Sequence, residues 1–163
     1  MDVDKIMSYV IPFVSILASF LLGQWSKTKS QKIDIQMKRF NDFYIPYLQL
    51  LIQIWPDSID PNFVADEKRT ELKNLLINNI QYLGKESSEY LPNFIEKDQF
   101  SYLEKTGHTQ YEGSYKHFYE SFIQMNKYVL SEAKELAKEL KYPIPSEHVL
   151  NTYSHRQALE QLD

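Results

Sequence analysis

The chain has 163 residues, a formal net charge of −4, 25% charged residues and 43% apolar ones. That is one domain's length, with too much apolar content for a disordered chain. Without a cysteine it cannot build a disulfide, a thiolate metal site or a thiol nucleophile, and its acidic balance is wrong for nucleic acid, which needs a basic field.

Ile6 to Ser26 (IMSYVIPFVSILASFLLGQWS) carries no charge over 21 residues, enough to cross a hydrocarbon core of about 30 Å as a helix. Tyr9 and Trp25 stand near its ends, where interfacial aromatics sit, and a membrane helix tolerates Pro12. A cleaved leader would need a basic start and a small-x-small cleavage site. The chain instead begins MDVDK and leaves the apolar run through Leu22-Gly23-Gln24-Trp25. A retained anchor is therefore expected over 1–26.

Lys27, Lys29, Lys32, Lys38 and Arg39 follow the span, opposed only by Asp34, whereas a single Lys precedes it. Basic flanks stay on the cytoplasmic side. The expected topology is single-pass in the cell membrane, N-terminus outside and residues 27–163 a cytoplasmic domain. The five basic side chains set that topology and are also candidates for contact with anionic headgroups.

Ser26 to Trp55 reads as a long helix with a heptad seam at Ile33, Met37, Phe40, Tyr44, Tyr47, Leu51 and Ile54. Pro46 removes one helix hydrogen bond and collides with the carbonyl four residues back, so a kink near Asp42 is expected. Traced backwards, the same stripe passes through Gly23, Ser19 and Ser15, a small-xxx-small pattern that lets membrane helices approach closely. Packing of Ile33 to Ile54 on the chain's own later helices is the simpler account of the seam; a parallel homo-oligomer is the alternative.

After a Pro-containing connector, a second helix is expected from Asp66 to Leu83. Leu72, Leu75, Leu76, Ile80 and Leu83 form its apolar face and Gly84 its stop. A third is expected to begin near Ser87 or Ser88, with Pro92 in or near its first turn and Phe94, Ile95, Phe100 and Leu103 as its apolar side. Thr106 to Gly113 reads as a loop. The clearest element is a fourth helix, Ser114 to Lys141, with Tyr115, Phe118, Phe122, Met125, Val129, Leu136 and Leu140 near a 3.6-residue period. YPIP at Tyr142 to Pro145 breaks the chain, and Ser146 can cap a short last helix. No strand signal appears. The expected fold is all-α: a transmembrane helix leading to a cytoplasmic bundle of about four helices and a short C-terminal helix.

Chemistry is sparse. His117 and Glu120 share a helix face without a second matching pair, and His148 and His155 stand seven apart in a polar tail. No GxSxG elbow or glycine-rich phosphate loop exists. Glu132, Glu135 and Glu139 alternate with Lys134, Lys138 and Lys141 as an ion-paired solvent face would. The 12 Tyr and 9 Phe follow core spacing, which favours packing over base stacking. No cofactor, metal or nucleic-acid partner is expected.

KRFNDFYIPYLQLL, Lys38 to Leu51, places an aromatic-Pro-aromatic core directly after a span and a basic strip. It resembles small single-span membrane proteins of bacteria, many carried by prophages or plasmids of Gram-positive species. That resemblance implies a membrane-anchored interaction or scaffold protein, an accessory of phage exclusion or defence, acting on a protein partner or on itself. It brings no catalytic residues. The alternatives are an enzyme with a dispersed carboxylate and histidine site and, less favoured, a membrane-active toxin, which a single span attached to a folded domain argues against.

Overall fold

The computed structural model describes residues 24, 27–54, 64–144, 146, 147, 149 and 151. The chain divides into two units, Met1–Lys38 and Arg39–Asp163. Apart from Gln24, the expected span and its small residues Ser15, Ser19 and Gly23 lie outside the described residues. Among the described residues no helix is long and apolar enough to cross a membrane, and none of them forms a strand.

In the first unit, residues 27–38 are helical and mostly exposed, Ile33 included at 41% and Ile35 at 67%. Thr28 Oγ1 donates to the Gln24 carbonyl at 2.9 Å, a helical back-bond.

The second unit opens with a π turn, Phe40–Tyr44, which runs into α1, Ile45–Ile54. The Ile45 N–H donates to the Phe40 carbonyl, five residues back. Pro46 explains the turn. It has no N–H to give to Asp42, and its ring needs room at that carbonyl, so the backbone widens around Asp42. The expected kink is thus realised as a π turn.

Phe40, Tyr44, Tyr47, Leu51 and Ile54 of the heptad seam are buried, and so are Phe43, Leu48 and Leu50. Only Gln49, Ile52 and Gln53 of α1 are exposed. This is broader than a heptad stripe. An apolar helix buried on most of its circumference is an interior helix, and α1 is the core strut of the second unit. In the π turn before it Phe43 and Tyr44 pack edge to face, with centroids 4.8 Å apart.

α2 spans Asp66–Asn78, α3 Lys85–Lys105 and α4 Ser114–Leu140. α2 ends five residues earlier than its apolar pattern implies. Asn79 leaves helical dihedrals at φ −119°, and its side-chain amide donates to the Leu75 carbonyl at 2.9 Å. Such local bonding by Asn competes with helix continuation. A 3₁₀ turn at Ile80–Tyr82 follows, which leaves Ile80 53% exposed instead of on the apolar face.

α3 begins at Lys85, earlier than expected, so Pro92 falls within the helix, past its first turn. Its buried residues are Ser87, Leu91, Phe94, Asp98 and Ser101. The spacing is 4, 3, 4, 3, yet three of the five are polar. Phe100 and Leu103 are only half-buried, because the true stripe runs beside the one that apolar residues mark.

α3 packs principally on α4. The pairs Ser87–Glu132, Tyr90–Tyr128 and Phe94–Phe118 run in opposite directions along the two helices, which makes them an antiparallel hairpin. The connection, residues 106–113, contains a 3₁₀ turn at Thr109–Tyr111 and has Gly107 and Gly113 at positive φ. α4 buries Phe118, Phe122, Met125, Val129 and Leu136 as its period implies, together with Ile123, Leu130, Ala133 and Ala137. It closes with Lys141 at φ 58° and bonds from Lys141 N to Lys138 O and Tyr142 N to Ala137 O, the pattern of a Schellman motif. The expected last helix is described at residues 146, 147, 149 and 151, which are helical.

Candidate functional site

Two groups of buried polar side chains organise the second unit. The first surrounds Glu132 on α4. Its carboxylate accepts from Gly84 N at 2.8 Å, Ser87 N at 3.3 Å, Ser87 Oγ at 2.8 Å and the Tyr44 hydroxyl at 3.0 Å. Gly84 and Ser87 open α3, and Gly84 has no side chain with which to cap it. A carboxylate from a neighbouring helix therefore takes the unpaired N–H groups and meets the positive end of the helix dipole. A Cβ at Gly84 would lie 2.3 Å from Glu132 Oε1, so glycine is required for this approach.

Arg39 completes the group. It donates through Nε to the Tyr82 carbonyl and through a terminal nitrogen to the Tyr44 hydroxyl at 2.6 Å, and lies 3.9 Å from Glu132. Burial, and next the negative charge of Glu132, push the Tyr44 phenol well above its usual range. A raised folded-state value means the native state holds this proton more tightly. Its contribution is full below the phenol's ordinary value of about 10 and is lost as pH rises beyond it. Urea midpoints measured from pH 8 to 11 should fall more steeply above pH 10 for the native chain than for Tyr44→Phe.

The second group centres on Asp98 of α3, whose side chain is 5% exposed. Arg69 Nε reaches one carboxylate oxygen at 2.6 Å, and Lys73 Nζ the other at 2.7 Å. Arg69 also donates to the Asp98 carbonyl and to Ser101 Oγ, and its guanidinium lies 4.0 Å from the centre of the Phe118 ring. Above this group α2 and α3 enclose a cleft of about 380 Å³, walled by Asp66, Arg69, Thr70 and Lys73 on one side and Asp98, Gln99, Tyr102 and Leu103 on the other. At its mouth Lys105 bonds both oxygens of Asp66 at 2.9 Å, and that bond holds the Asp66 carboxyl below the ordinary carboxylate range.

Lys27, Lys29, Lys32 and Lys38 are exposed. Arg39, expected with them at the membrane surface, is instead committed to Tyr44, Tyr82 and Glu132, because the core supplies acceptors that lipid headgroups would otherwise offer. In the helix-association seam, Phe40, Tyr44, Tyr47 and Leu51 belong to the chain's own core, Met37 is half-buried and Ile33 is exposed. Glu132 leaves the expected solvent face for the α3 terminus, whereas Glu135 remains there, paired with Lys138 at 2.8 Å. His117 and Glu120 approach to 3.7 Å on an exposed surface; His148 and His155 lie outside the described residues. Among the described residues no group of three or more His, Asp or Glu is placed to hold a metal.

Arg69, Lys73 and Asp98 did not stand out in the sequence, and Gly84 and Ser87 stood out only as helix boundaries. The 4-3-4-3 spacing from Ser87 to Ser101 is the one signal that marks Ser87 and Asp98, which lie with Ser101 on α3's buried stripe. Compared with known protein families, curated proteins and solved structures, the chain gives no match.

Proposed function

We propose that this chain is a single-pass, membrane-anchored helical interaction module, with its bundle on the cytoplasmic face and a role as a defence or phage-exclusion accessory of a mobile element. The uncharged run from Ile6 to Ser26, followed at once by a basic strip, carries the reading. The four exposed lysines at 27, 29, 32 and 38 fit it; near an anionic surface each adds about 1 kcal/mol. Association with a second copy is left to Ser15, Ser19, Gly23 and Ile33, since the lower seam fills the bundle's own core.

The absence of cysteine makes the test direct. Asp4→Cys and Glu139→Cys variants, expressed separately in bacterial cells, are exposed to a membrane-impermeant maleimide. Labelling of the first in intact cells, labelling of the second only after lysis, and retention of the chain in alkali-washed membranes are the expected results. Release of the chain by alkali, or the reverse labelling, overturns the reading. A Ser19→Cys variant reports on self-association: a membrane disulfide dimer supports it, and a chain that stays monomeric removes it.

A further inference from the structure

The cleft between α2 and α3 has the size and chemistry of a small-molecule site. Its volume of about 380 Å³ falls in the range of roughly 300–1,000 Å³ typical of ligand pockets. Arg69 and Lys73 share a single carboxylate, Asp98, so the floor carries one uncompensated positive charge. The Asp66–Lys105 pair at the mouth is neutral in sum. On a chain of net charge −4 this is a local inversion of sign.

One of the two cations is also held in place. Arg69 is fixed by the Asp98 carboxylate and carbonyl and by the face of Phe118, which lowers the ordering cost of receiving an anion. Lys73 retains 27% of its side-chain exposure, and an ammonium has three donors, of which Asp98 uses one. Tyr102, 58% exposed, and Leu103 line the wall with apolar surface. The neighbouring groove across Thr70 is lined by Asp66, Glu67 and Glu71, of which Asp66 is paired with Lys105 and Glu71 with Lys68 at 2.7 Å. A polyanion reaching across Thr70 would meet Glu67 and Glu71, whereas a compact ligand with one negative charge would stay in the cleft, where Asp66 is already paired with Lys105.

We infer that the α2–α3 cleft binds a small amphiphilic carboxylate, its anionic group on Lys73 and the outer edge of Arg69 and its flat apolar part against Tyr102 and Leu103. This inference does not depend on the membrane anchor.

The test is a calorimetric titration of the full-length chain, in a nanodisc or in buffer, with the same medium lacking protein as the blank. The probe is 2-naphthoate, with 2-naphthamide as a neutral isostere and 2-naphthyl phosphate as a dianion. Saturable heat is expected for 2-naphthoate, with binding at least tenfold weaker for either control. Lys73→Gln should weaken 2-naphthoate at least tenfold while Lys73→Arg retains it, and both variants should keep the native circular dichroism and melting transition. Heat equal to the blank, equal binding of the amide, tighter binding of the phosphate, or a folded Lys73→Gln variant that binds normally would each overturn the assignment. Tyr102→Ala, at an exposed position that leaves the fold intact, should also weaken 2-naphthoate; unchanged binding removes the apolar wall from the site.

Discussion

Glu132→Ala should lower the unfolding free energy of the chain by about 3 kcal/mol, read from urea denaturation followed by circular dichroism. The substitution removes the acceptor of two backbone N–H groups and two hydroxyls and deprives Arg39 of its anion. The Glu132 side chain is 16% exposed, so water relieves part of the loss; this keeps the effect below that of a fully buried ion pair. Glu132→Gln should recover only part of it. An amide offers one oxygen, and its NH₂ would face donors at the α3 terminus.

Gly84→Ala tests the same contact from the other side. The added methyl would occupy the place of Glu132 Oε1, and the carboxylate cannot retreat without releasing the helix terminus. A cost of about 1–2 kcal/mol is expected in the native background and close to none in Glu132→Ala, since residues in direct contact are not additive. Equal costs in both backgrounds would show that Gly84 serves some other purpose.

Asp98→Asn should cost about 3 kcal/mol by the same measurement, because it strands two cations on one buried position. The two are not equivalent. Lys73, 27% exposed, can turn into water, whereas Arg69, 12% exposed and stacked on Phe118, cannot. Most of the penalty therefore belongs to Arg69. The double variant Arg69→Met, Asp98→Leu should be less destabilised than the sum of its singles, since removing both partners leaves no buried charge unpaired. An additive double variant would mean that the pair contributes little beyond packing.

The helices of the second unit were largely legible in the sequence. α4 ends one residue from its expected limit, and α2 begins at the expected Asp66, because apolar residues recur with the helical period and Gly84 and YPIP punctuate the chain. Pro46 announced a distortion near Asp42, and the π turn at Phe40–Tyr44 is its backbone form. The boundaries that shifted did so for reasons that apolar periodicity does not register: the Asn79 amide ended α2, and a capping group remote in sequence let α3 start at Lys85.

The polar interior was not legible. Glu132 and Glu135 stand in the same Lys- and Glu-rich run, and by local pattern both belong to a solvated face. One faces water and pairs with Lys138; the other is half-enclosed at the start of α3. Likewise Asp98 looks like any exposed helix acid, and Arg39 like one more member of a basic strip. A charged residue carries the same local signature whether its partner is water or a group far along the chain. Composition and period therefore decide which segments are helical and, on α1 and α4, most of the apolar side chains that form the core. The antiparallel register of α3 on α4, and the placing of α2 beside them, decide which charges are buried, which cations share a carboxylate and where the cleft opens. Those outcomes depend on contacts such as Gly84–Glu132 and Arg69–Asp98, which exist only once the helices have packed.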